Sequence, residues 1–264
     1  MPSRAQDNKH ATNKQLINQV KTTFAIFITF ILFCFGGKSF AVVEFDGQDD
    51  YMTTNLTTAF GDATVCAWFY YISVPWNGYM RIVDKSYSTG FWLGSGSTQD
   101  TWGGGFIESS SPYGQYVSLS SGTWNHICIV RSGTTHTVIG NGGDVSASKT
   151  ASSTACSADN VVFDSDTTSE TSNNKFHGYI EDIRIYSRAL SSQEIESLAN
   201  SQLKYHSITS NLVGYWPLDD FAQGTSGDAK TFIDQSGNGN SATGIDGANN
   251  LGLTVVPTQI LSYP

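Results

Sequence analysis

Residues 176–191, FHGYIEDIRIYSRALS, carry the clearest structural signal in the sequence. Residues 179–186 within this stretch are rich in tyrosine and isoleucine, which is the composition of a β-strand. Directly after this strand, Ser191 followed by Glu194 forms a capping box, the sequence signature of a helix start. The partial apolar stripe that follows comprises Ile195, Leu198 and Leu203. The stretch therefore predicts one strand that leads into one short helix, roughly residues 192–201.

The chain upstream of this stretch is patterned almost throughout as β-structure. Short runs of β-branched and aromatic residues alternate with clusters of Gly, Ser, Asn and Asp, as in a sandwich or a barrel. Besides 179–186, we predict strands at residues 42–45, 64–71, 81–84, 90–94, 105–108, 116–119, 124–131, 136–139 and 161–163. The sequence therefore predicts an all-β fold with one capped helix.

The first 41 residues have the features of an export signal. Basic residues precede an apolar run at 22–37, and Ser39 and Ala41 stand at the small-residue positions of a cleavage site. We predict cleavage after Ala41, which leaves residues 42–264 as a secreted or cell-surface protein that does not insert into the membrane. The apolar run is short for a helix of about 20 residues that spans a bilayer, and a retained membrane anchor is the alternative.

The predicted mature region is strongly acidic. Residues 42–264 keep 9 of the 14 basic residues and 22 of the 23 acidic ones, so their formal charge is −13. Such a surface repels phosphate backbones and anionic lipids, which argues against nucleic acid as a partner. It favours neutral glycans, cationic partners or bound cations.

Three stretches together resemble a known family. They are VEFDGQDDY at 43–51 with TVCAWF at 64–69, TWNHICIVR at 123–131, and the stretch at 176–191. In this order they resemble the laminin G-like jelly-roll domains of the concanavalin A-like lectin/glucanase superfamily. The resemblance implies a two-sheet antiparallel jelly-roll sandwich over residues 42–264.

The cysteines permit one bridge. Once Cys34 leaves with the signal, Cys66, Cys128 and Cys156 remain, so an exported protein has one thiol left over. The placement of Cys66 and Cys128 resembles that in pentraxins, a branch of the same fold class. That resemblance implies a Cys66–Cys128 disulfide.

The C-terminal tail resembles the start of such a domain. It contains LVGYWPLDD at 212–220 and DQSGNGN at 234–240, a segment that in the family precedes the Phe-Asp-Gly strand. The resemblance implies a circularly permuted domain in which residues 211–264 supply the opening segment; a truncated second repeat is the alternative. We expect residues 212–218 to pair within the same sandwich, with Trp216 buried.

Enzyme signatures are missing from the sequence. The related glucanases carry Glu-x-Asp-x-x-Glu on a strand, and neither that motif nor a Gly-x-Ser-x-Gly elbow or His-Glu-x-x-His helix occurs here. We therefore predict a protein that is not an enzyme. Two carboxylates from separate strands would still fit a glycosidase-related enzyme, which is the third reading.

Aromatic residues in a Gly/Ser-rich stretch are the candidate ligand contacts. Flat rings beside amides and carboxylates suit the apolar faces and hydroxyls of sugars. The candidates are Trp76, Asn77, Tyr79, Gln99, Asp100, Trp102 and Tyr113. We expect Trp92 and Tyr116 to be core residues instead.

Calcium is the predicted cofactor. Asp164 and Asp166 fall roughly where pentraxins hold acidic ligands, and Asp182 matches a position at which related folds hold a structural ion. Carboxylate oxygens are hard ligands of the kind that calcium prefers. Solvated loop acids are the alternative for each position.

These observations favour a secreted or surface module that binds carbohydrate, with calcium as the candidate cofactor. The second reading is an adhesion or scaffold module that binds a surface protein. Fold alone does not separate the readings, because this architecture hosts all of them.

Overall fold

A computed structural model of the chain describes residues 41–72, 79–86, 89–98, 100–106, 114–146, 149–150, 158–166, 174–200, 208–246 and 253–257. The predicted export signal lies outside these residues except for Ala41, which begins the first strand. Cys156 also lies outside them.

The described residues form β-strands and a single helix. The strands are β1 (Ala41–Asp46), β2 (Tyr51–Thr54), β3 (Ala63–Tyr71), β4 (Arg81–Lys85), β5 (Phe91–Ser95), β6 (Thr101–Phe106), β7 (Gln115–Ser118), β8 (Trp124–Ser132), β9 (Thr135–Gly140), β10 (Asp144–Val145), β11 (Lys149–Thr150), β12 (Val162–Phe163), β13 (His177–Tyr186), β14 (Leu212–Trp216), β15 (Thr231–Phe232), β16 (Ala242–Ile245) and β17 (Thr254–Pro257). The helix α1 spans Ser192–Asn200. Within the described ranges, no helix is long and apolar enough to cross a membrane.

The strands form two antiparallel sheets. The first sheet has the order β10-β9-β8-β3-β13-β1-β17, with β11 paired to β9 and β14 paired to β13. The second sheet has the order β15-β16-β2-β12-β4-β5-β6-β7. The predicted all-β jelly-roll sandwich with one short helix is confirmed.

One core fills the space between the sheets. Inward-facing side chains of the first sheet, such as Phe69 and Ile180, belong to the same buried cluster as Leu93 and Phe163 of the second. Successive side chains of a regular strand point to opposite faces, so β3 contributes every second residue from Ala63 to Tyr71 to this core. Burial of these apolar side chains is the main term that stabilises the sandwich.

The helix starts as its sequence predicts. The backbone N–H of Ser191 donates to Glu194 at 2.8 Å, and the backbone N–H of Glu194 donates to the Ser191 hydroxyl at 3.3 Å. Ile195 and Leu198 are buried against a second apolar cluster that includes Tyr186. The third residue of the predicted stripe, Leu203, lies outside the described residues.

The disulfide between Cys66 and Cys128 is present, as the pentraxin resemblance implied. The two cysteines face each other in the pairing of β3 with β8, two nine-residue strands of the first sheet. The bridge therefore links central strands that are already hydrogen-bonded to each other.

The C-terminal tail is part of the same sandwich. Strand β14 pairs with β13, β16 pairs with β2, and β17 pairs with β1. Trp216 is fully buried, its ring centroid lies 5.1 Å from that of Phe163, and its indole N–H donates to the carbonyl of Asn240 at 2.9 Å. The predicted pairing of residues 212–218 within the sandwich and the burial of Trp216 are both observed.

Strands β1 and β14 share one edge of β13. Residues Val43–Asp46 of β1 pair with the first half of β13, and β14 pairs with its second half, from Ile183 onward. The change of partner falls at Asp182, where the backbone has a φ of 51° and the register with β3 shifts. Because of this local bulge, the two short strands can pair in succession with the one long strand.

Candidate functional site

The described residues enclose a pocket of about 490 Å³ on the outer face of the second sheet. It is built on the pairing of β4 with β12, in which Asp84 lies opposite Val162. The adjacent pair, Val83 and Phe163, belongs to the core, so Asp84 and Val162 point away from it. The lining residues are Asp84, Ser86, Ala158, Asp159, Asn160, Val162 and Asp166.

Asp84 is the most buried acid of the pocket, with 1% of its surface exposed. Its Oδ2 accepts a hydrogen bond from Nε of Arg81 at 3.2 Å, whereas its Oδ1 is buried and accepts none. Burial raises the pKa of this carboxyl to about 8 against the opposing charge of Arg81, and the charge of Asp166 adds to the rise. The raised pKa favours the protonated form of this carboxyl beside Arg81, and a protonated carboxyl can both donate to and accept from a hydroxyl.

The other polar groups of the pocket are exposed or half-buried, and the chain around them is held in place. The carboxylate of Asp166 accepts a hydrogen bond from Nδ2 of Asn174 at 2.5 Å. The buried ammonium of Lys85 donates to the carbonyl of Leu56 at 3.3 Å and to the carbonyl of Asp159. These bonds fix the two chain segments that supply the polar wall before any ligand arrives.

The buried indole of Trp92 lies beside the pocket. Trp92 is opposite Asp84 in the pairing of β4 with β5, and the Arg81 guanidinium lies 4.3 Å from its ring centroid. A Cβ on Gly114 would come within 2.7 Å of the Trp92 ring, so that position has room only for glycine. Trp92 is buried, although outside the main core; Tyr116, expected in the core, is 37% exposed instead.

The predicted ligand-binding residues do not form one platform among the described residues. Trp102 is fully buried, with ring centroids of Phe69 at 4.4 Å and Tyr71 at 4.7 Å, so the prediction of a surface role for it is wrong. Asp100 accepts a hydrogen bond from the Tyr71 hydroxyl and has a φ of 62°, whereas Tyr79 is 44% exposed. The remaining candidates lie outside the described residues: Trp76, Asn77, Gln99 and Tyr113.

The three predicted calcium ligands do not form one site. Asp182 lies on β13, where its two oxygens accept hydrogen bonds from Arg184 at 2.5 and 3.2 Å. An internal cation thus contacts that carboxylate, and the role of Asp182 as a calcium ligand stays a prediction. Asp164 is fully buried, accepts a hydrogen bond from the backbone N–H of Phe176, and has its pKa raised by burial. Of the three predicted calcium ligands, Asp166 lines the pocket.

Sequence reasoning missed an acidic cluster between β1 and β2. Asp46, Asp49 and Asp50 each place a carboxylate oxygen within 4.8 Å of the others. Burial raises the pKa of Asp50 to about 7, and burial also raises the pKa of Asp246, whose carboxyl group contacts that of Asp50. The available signal was the spacing of three aspartates within five residues.

A family model matches residues 46–196, more than half of the chain, and is described as the concanavalin A-like lectin/glucanases superfamily. A search of curated proteins finds no significant match.

Solved structures with the same fold include a candidate carbohydrate-binding protein from Bacteroides ovatus. It has a TM-score of 0.62 at 15% identity, over 85% of this chain and 60% of its own. This chain thus spans about three fifths of that relative. A heptameric SAP-like pentraxin from Limulus polyphemus has a TM-score of 0.48 at 16% identity, over 62% and 83% of the two chains. The sialyllactose-bound CBM40 of Ruminococcus gnavus IT-sialidase has a TM-score of 0.46 at 14% identity, over 62% and 100%.

Proposed function

The chain belongs to the concanavalin A-like lectin/glucanases superfamily, and from that premise we propose that it is a carbohydrate-binding module. The observation that carries this proposal is the pocket on the outer face of the second sheet. Its volume of about 490 Å³ falls within the range of small-ligand sites, about 300–1,000 Å³.

The polar groups of the pocket match sugar hydroxyls. A hydroxyl is both a donor and an acceptor, and the protonated Asp84 can meet it in both roles. The amide of Asn160 and the hydroxyl of Ser86 can do the same, and the carboxylate of Asp166 can accept. Hydrogen-bonding groups of mixed character on one concave wall favour a polyhydroxylated ligand.

The charge of the pocket favours a neutral glycan. Asp159 and Asp166 stand among its lining residues without a basic side chain in the same lining. The whole chain carries a formal charge of −9, so long-range steering also disfavours anionic ligands. We therefore infer neutral oligosaccharides as the ligand class.

Export to an oxidising compartment is part of the proposal. The disulfide between Cys66 and Cys128 supports it, because such bridges form and persist mainly outside the cytosol. Cell fractionation that found the protein in the cytosol with both thiols free would contradict it.

A glycan array probed with the purified full-length protein tests the function. We expect binding to neutral glycans, followed by at least a tenfold loss of affinity in Asp166→Asn and in Asn160→Ala. The matched control is Asp144→Asn, which changes an exposed residue of β10 in the first sheet. We expect this variant to bind glycans as the wild type does.

Two other outcomes separate the alternatives. Affinity that is unchanged in both pocket variants would place any glycan site elsewhere and contradict the proposal. Hydrolysis of a bound oligosaccharide would instead support the glycosidase reading, since a protonated carboxyl beside a second acid is the pair that such enzymes use.

A further inference from the structure

The sequence contains one acceptor motif for a covalent modification. Asn55, Leu56 and Thr57 form an Asn-x-Thr motif, in which the acceptor asparagine of N-linked glycosylation stands two residues before a hydroxyl side chain. The middle residue is not proline, as the motif requires. None of the other asparagines in the 264 residues has serine or threonine two positions later. The chain therefore offers a single candidate acceptor.

The fold leaves both polar side chains of the motif at the surface. Asn55 and Thr57 are exposed in the irregular segment that follows β2, whereas Leu56 between them is 1% exposed and belongs to the main core. A sugar chain on Asn55 would extend into solvent without displacing a core side chain. Such exposure is required, because an acceptor that folding buries could not carry a bulky polar group.

The main chain of the motif is anchored to the segment that leads into β12. The carbonyl of Leu56 accepts hydrogen bonds from the backbone N–H of Val161 at 3.2 Å and from Nζ of Lys85 at 3.3 Å. The Thr54 hydroxyl donates to the carbonyl of Val161 at 3.0 Å and accepts from the backbone N–H of Leu56 at 3.1 Å. Substituting either exposed side chain of the motif removes none of these bonds, so such variants test modification separately from folding.

The compartment that supplies the disulfide also suits this modification. Bridges such as Cys66–Cys128 form in the lumen of the endoplasmic reticulum and in other oxidising compartments. Asn-x-Thr motifs on the surface of secreted proteins are the acceptors of N-linked glycans. The disulfide and the motif involve different residues, and both fit an exported chain. The inference rests on the proposed export and not on the pocket.

We propose that Asn55 carries an N-linked glycan. In the transfer, Nδ2 of Asn55 attacks the anomeric carbon of an oligosaccharide that is linked to a lipid diphosphate. The N–C bond forms and the C–O bond to the diphosphate breaks; the amide loses one proton, and the diphosphate leaves with the bonding electrons. The Thr57 hydroxyl is the second recognition element of the motif. This covalent glycan is distinct from the ligand of the pocket, whose lining does not include Asn55.

Peptide mass spectrometry of the full-length chain, produced in a eukaryotic secretory host with its own export signal, tests the proposal. We expect Asn55 to carry a glycan that the amidase PNGase F removes, which leaves aspartate at that position. Asn55→Gln and Thr57→Ala should each abolish the glycan, whereas Thr57→Ser keeps the hydroxyl and should retain it. The matched control is Thr58→Ala, which changes the exposed residue next to the motif and should be glycosylated as the wild type is.

The disulfide is measured in the same samples and separates the two kinds of failure. Non-reducing peptide maps identify molecules with the Cys66–Cys128 bridge, which have passed through an oxidising compartment. Bridged wild-type protein without a glycan on Asn55 would overturn the inference and leave the proposed export intact, and a glycan that persists in Asn55→Gln would also overturn it. Chains with both thiols reduced and no glycan would contradict the export and the inference together.

Discussion

His126 shows how a titratable residue is held neutral inside this sandwich. Its ring is buried on β8, with its centroid 5.2 Å from that of Trp68 and its Nε2 3.9 Å from Sγ of Cys128. Burial, together with the charge of Arg184, lowers the pKa of His126 to about 3. The residue therefore serves packing and not proton transfer near neutral pH.

Acid should destabilise the protein partly through His126. The unfolded chain takes up a proton at this residue below about pH 6.5, whereas the folded chain does so only near pH 3, so the free energy of unfolding falls as the pH drops between those values. We expect a smaller drop between pH 7 and pH 4 in His126→Gln, measured by urea unfolding. The half-buried His177→Gln is the control, and an equal drop in wild type and His126→Gln would refute the role.

Single residues were the hardest part to predict from the sequence. Trp102 was placed on the surface and Tyr116 in the core, and the structure reverses both. Exposure on a strand depends on its phase, since a shift of one residue turns every side chain to the other face. Residues 103–105 are all glycine, so this run has no apolar and polar alternation from which the inward face of the strand could be predicted. The pairing of Asp182 with Arg184 was also not predictable, because it forms at a bulge in β13.

The contribution of the disulfide between β3 and β8 to stability can be tested by removing the disulfide. The cysteines are 62 residues apart, and a loop of that length implies a stabilisation of about 4 kcal/mol through the unfolded chain. The double variant Cys66→Ala/Cys128→Ala should lose about that much in urea unfolding. Cys156→Ala leaves the bridge intact and is the control. A double variant as stable as the wild type would contradict this.

The tail strand β14 makes a second prediction at this scale. Trp216→Ala removes a fully buried side chain and should cost about 3–5 kcal/mol in urea unfolding. Tyr116→Ala, at an exposed aromatic, should cost far less. Deleting residues 211–264 also removes the partners of β1, β2 and β13, so the remainder should lose at least as much stability. A deletion variant that melts like the full chain would make the tail a separate fragment.

The long strands of the first sheet were predictable, whereas several two-residue strands were not. Residues 64–71, 124–131 and 179–186 match the centres of β3, β8 and β13, because long β-branched and aromatic runs carry the signal. Strands of two residues, such as β10, β11 and β15, have too few residues for a pattern. They form because a partner strand is already in place.

For the molecule as a whole, the family resemblance predicted the architecture but not the sites. The family match ends at residue 196, yet the sandwich includes the tail as far as β17. The pocket combines β4, the segment before β12 and the turn after it, which only the pairing of β12 with β4 brings together. The sequence analysis selected aromatic rings and nearby polar residues instead, and all seven of them lie elsewhere or outside the described residues.

We propose that the pocket beside Asp84 holds a neutral glycan. The most direct test is a crystal structure of the full-length protein with the strongest ligand from the glycan array. We predict sugar hydroxyls within hydrogen-bond distance of Asp84, Asn160 and Asp166. A glycan bound on another surface, with the pocket filled only by water, would contradict the claim.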